Sequence, residues 1–393
     1  MTLRVYWGDE DPVHQLRGET QPFLPLQAYA FEASPADGQP FRDYLPFHEG
    51  NRTLVVEDGG TALAAVTGIP MRQNVRGTLH RMAGIAGVAV HPLARRQGYV
   101  RTLLTQLLRE MRDEGHTVSA LYPFRASFYE RFGYVGLPQR RTVTFAPEDL
   151  GHLLRADLPG ELAWERIGTG YDTYRAFTQR LAAERHGFAT FPDFRAARLR
   201  EDDKHWLVTA RVDGQVAAAA LYQITGFGAD LVVDHLLVTT PLSRALLLQF
   251  FARHVDQVAR IVAGVPADEI PELWATDLGT HTEARTRVPN SNAPMARVLS
   301  VDALAGSGPG RVVVEVVDDP FIAGTYLLDG PTVTPSDGVP DATLRAAGLS
   351  ALVYGVLDPD ELPLRGFGTV SPDAGAQLRA LFPRQVPYLF ADF

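Results

Sequence analysis

The chain has 393 residues, 46% hydrophobic and 21% charged, with a formal net charge of −9, the composition of an ordinary soluble globular protein. It has no cysteine, which excludes disulfides, thiolate metal sites and an acyl-cysteine intermediate, and its single lysine, Lys204, argues against phosphate-loop or Schiff-base lysine chemistry. The acidity argues against a nucleic-acid partner, and the length suggests two to four domains at roughly 100–200 residues each.

The first ten residues, Met1 to Glu10, contain no apolar segment of the kind a signal peptide needs. The longest apolar run, Val216 to Ile224, is far shorter than the roughly 20 residues of a membrane helix. A cytoplasmic protein without a membrane partner is therefore expected. Residues 54–69 read as strand, Asp-Gly turn and strand. A strand at about 84–90, a helix at about 98–114 and a strand at about 117–122 follow. Val100, Leu103, Leu104, Leu107, Leu108 and Met111 form one apolar face of that helix, and Gly115 is placed to stop it.

A similar order returns from Leu207, with strands at 215–224 and about 230–238 and a helix beginning near Ser243. It reads as a degenerate internal duplication. In the first copy Pro92 and Arg101 are separated by a loop holding Arg95, Arg96 and Gly98. In the second, Pro241 is followed almost at once by Arg244. The missing residues are the ones suited to phosphate, so the second copy is expected to keep the fold without the cofactor. From about residue 290 the pattern changes to strands at Val298–Val301 and Arg311–Val317, separated by the flexible stretch 305–310. A turn-rich segment, 329–341, and short helices near 349–356 and 373–382 complete an α+β module of domain size.

The run Val88-Ala89-Val90-His91-Pro92-Leu93-Ala94-Arg95-Arg96-Gln97-Gly98-Tyr99 leads from a strand into a basic, glycine-broken turn and then a helix. Unpaired N–H groups and the positive dipole end at a helix start suit a pyrophosphate, and Gly98 lets the backbone approach it closely. Alternatively, the run is a solvated basic loop capping an amphipathic helix. The strand before it and the strand after the helix favour the functional reading.

Arg95-x-x-Gly98 resembles motif A of the GCN5-related N-acetyltransferases, with Val100 where a small residue is usual. Together with Phe128-Tyr129-Glu130-Arg131-Phe132-Gly133-Tyr134, the chain resembles the Eis-like (enhanced intracellular survival) acetyltransferases, in which bulky residues also occur at that place. The resemblance implies an α+β fold with mixed sheets in three parts. These are an acetyl-CoA-binding domain at 1–147, a cofactor-free copy at 148–289 and a sterol-carrier-protein-like domain at 290–393. It also implies acetyl-CoA as co-substrate, a small polycationic amine acceptor (aminoglycoside-like or a polyamine) and a homohexamer. The expected cofactor contacts are Val88, Val90, Arg95, Arg96, Gly98 and Tyr99.

Direct transfer to an amine needs a base, an acid and donors for the carbonyl oxygen. The family correspondence makes Tyr129 the general acid, and a phenol near pKa 10 donates to a thiolate without being ionised at neutral pH. It also makes the α-carboxylate of Phe393 the base. Burial beside Tyr388, Phe390 and Phe393 would raise its pKa, whereas a frayed tail is the ordinary fate of a chain end. Asp392 is a rival base or an anchor for a cation. Backbone N–H groups where Val88-Ala89-Val90 splays from its neighbour would hold the carbonyl oxygen. His186, His205, His235, His254 and His281 lack metal-ligand spacing, so no metal is expected. The alternative function is a non-catalytic hydrophobic-ligand carrier or scaffold with a vestigial acyltransferase site.

Overall fold

The computed structural model describes residues 1–8, 22–31, 47–286, 293–304 and 308–393. The last two residues of the Met1–Glu10 stretch, the expected boundary at 289/290 and residues 305–307 of the flexible stretch lie outside them. The chain forms two compact units. One comprises Met1–Leu137, Ala182–Ala197 and Val288–Phe393, and the other comprises Pro138–Leu181 and Arg198–Arg287.

In the first unit, β1 (Thr2–Trp7), β2 (Arg52–Asp58), β3 (Thr61–Val75) and β4 (Thr78–Val90) pair antiparallel in chain order. Helix α1 (Phe23–Phe31) lies between β1 and β2 in the sequence. After β4 the chain crosses through α2 (Tyr99–Asp113) to β5 (Val118–Leu121), which runs parallel to β4. Then come α3 (Ala126–Glu130) and the short β6 (Val135–Gly136). The apolar stripe read from the sequence is the buried face of α2, from Val100 to Met111. Its C-terminus closes as a Schellman motif, with Gly115 N–H donating to Arg112 O at 2.8 Å and His116 N–H to Met111 O at 3.0 Å. Gly115 has φ +91°, which explains why glycine stands there.

The second unit repeats this plan. Its sheet holds β7 (Arg141–Phe145), β8 (Glu161–Arg166), β9 (Trp206–Val212), β10 (Gln215–Ile224), β11 (Asp230–Val238), β12 (Arg260–Val265) and β13 (His281–Glu283), in the order β13-β7-β12-β11-β10-β9-β8. Helices α4 (Ile167–Glu184) and α5 (Asp193–Asp202) follow β8 in the sequence, and α6 (Pro241–Ala252) crosses over from β11 to β12. β11 and β12 form the parallel pair here, as β4 and β5 do in the first sheet.

The division of the chain differs from the expected 1–147, 148–289 and 290–393. β7 belongs to the second sheet, between β12 and β13, although it precedes residue 148. Strand β14 (Met295–Val298) returns to the first sheet between β5 and β6, although it follows residue 290. Residues 182–197 also belong to the first unit. All four residues of β14 are buried, but it shares only Val298 with the strand expected from the sequence, and periodicity does not say which partner a strand takes. The expected strand at 298–301 ends at Val298, and Val301–Leu304 is a 3₁₀ turn.

The rest of the first unit is an α+β module. β15 (Arg311–Val317), β16 (Gly324–Asp329), β17 (Thr332–Pro335), β18 (Ala342–Arg345) and β19 (Gly368–Val370) form a sheet in the order β17-β16-β15-β18-β19. It carries α7 (Ala346–Val353), the single-turn α8 (Glu361–Leu364) and α9 (Pro372–Leu381). The stretch 329–341, read as turn-rich, contains the short strand β17. Arg297 fastens β14 to this module. Its guanidinium meets Asp319 at 2.8 Å, with side-chain exposures of 1% and 3%, and also donates to the Val298 and Phe132 carbonyls. The second carboxylate oxygen of Asp319 accepts from Phe321 and Ile322 N–H. Removing one member of such a pair strands a buried charge. Asp319→Ala is therefore expected to lower stability by about 3–5 kcal/mol, read from the denaturant midpoint of the first unfolding transition. An unchanged midpoint would contradict this account.

Candidate active site

β4 outruns its parallel neighbour. Pairing with β5 ends at Ile85↔Leu121, while β4 continues to Val90 against β3 alone. Burial follows the same break: Met82 to Ile85 are buried, while Ala86, Gly87, Val88 and Val90 are half-buried. A bulge coincides with it, setting Gly87 and Val88 against the single residue Val66. Gly87 has φ +57°, and a Cβ there would lie 2.2 Å from Gln27 Nε2, which donates to the Gly87 carbonyl. His91 N–H donates to Leu63 O on β3. By the alternation of an antiparallel ladder, Val90 N–H then faces the side that β5 has left. The Val88 and Val90 side chains pack on the α2 face, as core residues do.

Beyond Val90, His91 caps a 3₁₀ turn at Pro92–Ala94, and Arg96 and Gly98 both take positive φ, +63° and +85°. Gly98 is the N-cap of α2 and gives it no side-chain cap, so the first N–H groups of the helix keep their capacity for a ligand. A Cβ at Gly98 would meet nothing within 4 Å, so the backbone conformation explains the glycine. Arg95 and Arg96 are exposed and have no ion-pair partner among the described residues. The Tyr99 hydroxyl donates to Gln97 Oε1 at 2.8 Å. Open N–H groups, a dipole end and two guanidinium groups without an ion-pair partner among the described residues are chemically suited to an anion.

Tyr129 and Tyr134 separate by their hydroxyls. Tyr134 is wholly buried and its OH meets Ser119 Oγ at 2.7 Å, so it is spent on structure. The Tyr129 ring lies edge-on to Phe124, Phe128 and Tyr134, but its hydroxyl has no hydrogen-bond partner among the described residues. Burial pushes its pKa above the usual phenol value, with a smaller contribution from Tyr134. Tyr129, Val88, Val90 and Tyr99 belong to one cluster on the α2 face of the sheet.

The C-terminal tail is packed rather than frayed. Tyr388, Leu389, Phe390 and Ala391 are buried, and Phe390 stacks on Phe188 with ring centres 4.7 Å apart. Tyr388 N–H donates to His186 O, and the Tyr122 hydroxyl to Ala391 O at 3.0 Å. The docking segment 186–189 is itself tied to the end of β3 through Asn74 and Gln73. The Phe393 ring therefore sits edge-on to Tyr122, and a Cβ at Gly84 would be 3.2 Å from it. Gly84 is one residue short of the end of β4–β5 pairing. By strand alternation Gly84 and Phe393 lie on the sheet face opposite the α2 and Tyr129 cluster, and the β4–β5 gap is where the two faces meet. Asp392 instead is exposed, 4.0 Å from Arg195.

Phe393 also lines a cavity of about 350 Å³ between α1, β3, β4 and the 194–195 segment, beside Ala86 and Gly87. His48, Asn51, Phe194 and Arg195 form another wall. Nothing in the sequence pointed to these residues. Each is an isolated polar or aromatic side chain, and only the folding of 182–197 into the first unit brings them to the gap.

The second unit shows the same frame with the opening closed. β11 outruns β12 after Val233↔Ala263, and Thr239 N–H donates to Ala217 O as His91 does to Leu63. Arg140 then reaches the position where the strands part and donates to Asp234 O at 3.0 Å. The α6 N-terminus is sealed by a capping box between Thr240 and Ser243. Helix-start donors left open in the first unit are satisfied by side chains in the second, and where the strands part a carbonyl is engaged by Arg140.

A parallel pair that opens beside a glycine-led helix start is the acetyltransferase (GNAT) arrangement, and two stretches match that domain family, residues 15–136 and 165–298. An uncharacterized N-acetyltransferase of Streptomyces coelicolor is 26% identical over 276 residues, 64% of each chain. The N-acetyltransferase Eis of Mycobacterium tuberculosis is 35% identical over 86 residues, 21% of each chain. The alignments thus span less than two thirds of these relatives. Among solved structures, a GCN5-related N-acetyltransferase from Kribbella flavida has a TM-score of 0.79 at 24% identity, covering 100% of this chain and 98% of its own. Eis1 from Mycobacterium abscessus reaches 0.79 at 19% identity, covering both chains fully, and these likenesses establish the fold. The chain belongs to the acetyltransferase (GNAT) family.

Proposed function

We propose that the protein is an acetyl-CoA-dependent N-acetyltransferase that transfers the acetyl group directly to a primary amine in its first unit. The observation that carries this reading is the β4–β5 gap, with an uncapped helix start beyond it and Phe393 against its near edge. Acetyl-CoA supplies the activated thioester. Gly98, Arg95, Arg96 and the N–H groups at the start of α2 hold its pyrophosphate, with Tyr99 bordering the turn. Backbone N–H groups at Val88 and Val90 hold the carbonyl oxygen, the Phe393 carboxylate takes the ammonium proton, and the Tyr129 hydroxyl gives a proton to the departing sulfur. Arg140 and the Thr240–Ser243 box favour a second unit that keeps the fold without a cofactor site.

The family resemblance alone implies a polycationic acceptor, aminoglycoside-like or a polyamine, which the cavity walls argue against below; it also implies a homohexamer and a sterol-carrier-like character for the C-terminal module. In this reading the module serves to deliver the tail. No helix among the described residues is long and apolar enough to cross a membrane.

Thiol release measured across a panel of amines tests the activity. Release that depends on the amine supports it. If no amine elicits release and acetyl-CoA gives no thermal stabilisation, the carrier alternative takes its place. The Arg95→Ala/Arg96→Ala double variant is expected to weaken acetyl-CoA binding by about 10- to 100-fold, with a shallower salt dependence, by calorimetry. Unchanged affinity would place the pyrophosphate elsewhere.

A further inference from the structure

The walls of the cavity beside Phe393 bear on the acceptor itself, given that acetyl transfer occurs there. At about 350 Å³ the cavity is at the small end of ligand pockets. Its surface is largely aromatic, with Trp7, Phe23, Phe31 and Phe194 among its lining. Among the described lining residues no side chain is an aspartate or glutamate, and the one fixed side-chain charge is the Arg195 guanidinium.

Arg195 is poorly satisfied. Among the described residues its Nε is buried without a hydrogen-bond partner, and its only ion pair is the 4.0 Å approach of Asp392, too long for a hydrogen bond and largely in solvent. His48 adds no charge at neutral pH, since burial and then Arg195 lower its pKa to about 4. A polycation entering here would bring several ammonium groups against apolar walls and toward a like charge. A carboxylate would find a planar guanidinium with free donors.

We infer that the acceptor is a small aromatic or aliphatic amine that also carries a carboxylate, with Arg195 holding the carboxylate and the Phe393 end of the cavity receiving the amine. Of the residues that line the cavity, Arg195 carries the positive charge and Phe393, whose ring is seated against Gly84, bears the carboxylate assigned above as the base, together the complement of a zwitterion. An apolar amino acid has that chemistry.

Phenylalanine and phenethylamine differ only in the carboxylate and serve as the probe pair, assayed by thiol release with the full chain at saturating acetyl-CoA. The expected result is a kcat/KM about 10- to 100-fold higher for phenylalanine. In Arg195→Gln the ratio is expected to fall to within about twofold of unity, with the change carried by KM. Equal or better turnover of phenethylamine, a polyamine preferred over both, or a ratio unmoved by Arg195→Gln would overturn the inference. Calorimetry with N-acetylphenylalanine and N-acetylphenethylamine in the presence of CoA reads the same preference without turnover. If neither amine is acetylated but N-acetylphenylalanine binds through Arg195, the transfer reading fails and the anion site stands. If neither product binds, the anion site fails.

Discussion

Tyr129→Phe is expected to lower kcat by about 10²- to 10⁴-fold, the usual contribution of a positioned proton donor. Acetyl-CoA affinity is expected to stay within about twofold, because an interaction made only as the bond breaks does not contribute to ground-state binding. The substitution keeps the ring and its edge-on contacts with Phe124, Phe128 and Tyr134, so the aromatic cluster persists. It removes a hydroxyl that no described residue engages, so no buried partner is left unsatisfied. Burial raises the Tyr129 pKa, so the phenol stays protonated through the alkaline range and its ionisation should not limit the rate there. Tyr134→Phe makes the contrast, because its hydroxyl meets Ser119 and its loss should appear in stability rather than in kcat. If Tyr129→Phe turned over at the parent rate, proton donation from this residue would be ruled out.

Two residues appended after Phe393 are expected to lower kcat/KM by about 100-fold or more. The extension converts the α-carboxylate into a peptide carbonyl and moves the charge about 7 Å along the chain. The anchors of the tail lie upstream, in the stacking of Phe390 on Phe188 and the Tyr122 bond to Ala391 O, so thermal stability should change little. Phe393→Ala keeps the carboxylate and loses the ring contact with Tyr122 and Gly84, and so separates charge from seating. An extended chain with undiminished turnover would exclude the terminal base. Asp392 is a poor substitute, being exposed and turned toward Arg195.

The sequence made the first crossover legible because its signals are local. The α2 stripe has a helical period, Gly115 stops it, and Gly98 begins it with a backbone that glycine favours. The shorter turn before the helix of the second copy was legible as a deletion, although the sequence did not show that Arg140 reaches the Asp234 carbonyl. The placement of β7 and β14 was not legible, because β7 is a short strand with alternating burial, β14 is a short buried one, and neither pattern names the neighbour it pairs with. The cavity beside Phe393 was hidden as well. His48 and the adjacent pair Phe194 and Arg195 are far apart in the sequence, and only the return of 182–197 to the first unit sets them together. The packed tail was anticipated from its aromatic residues, while its dock at Phe188 and Phe191 was not.

The complex with CoA, solved crystallographically, tests the central claim most directly. The account predicts one molecule per chain, with its pyrophosphate against the Gly98 turn and its sulfur at the opening past Ile85, near Phe393 and Tyr129. Occupancy of the second unit instead, or a thiol end remote from Phe393, would contradict it.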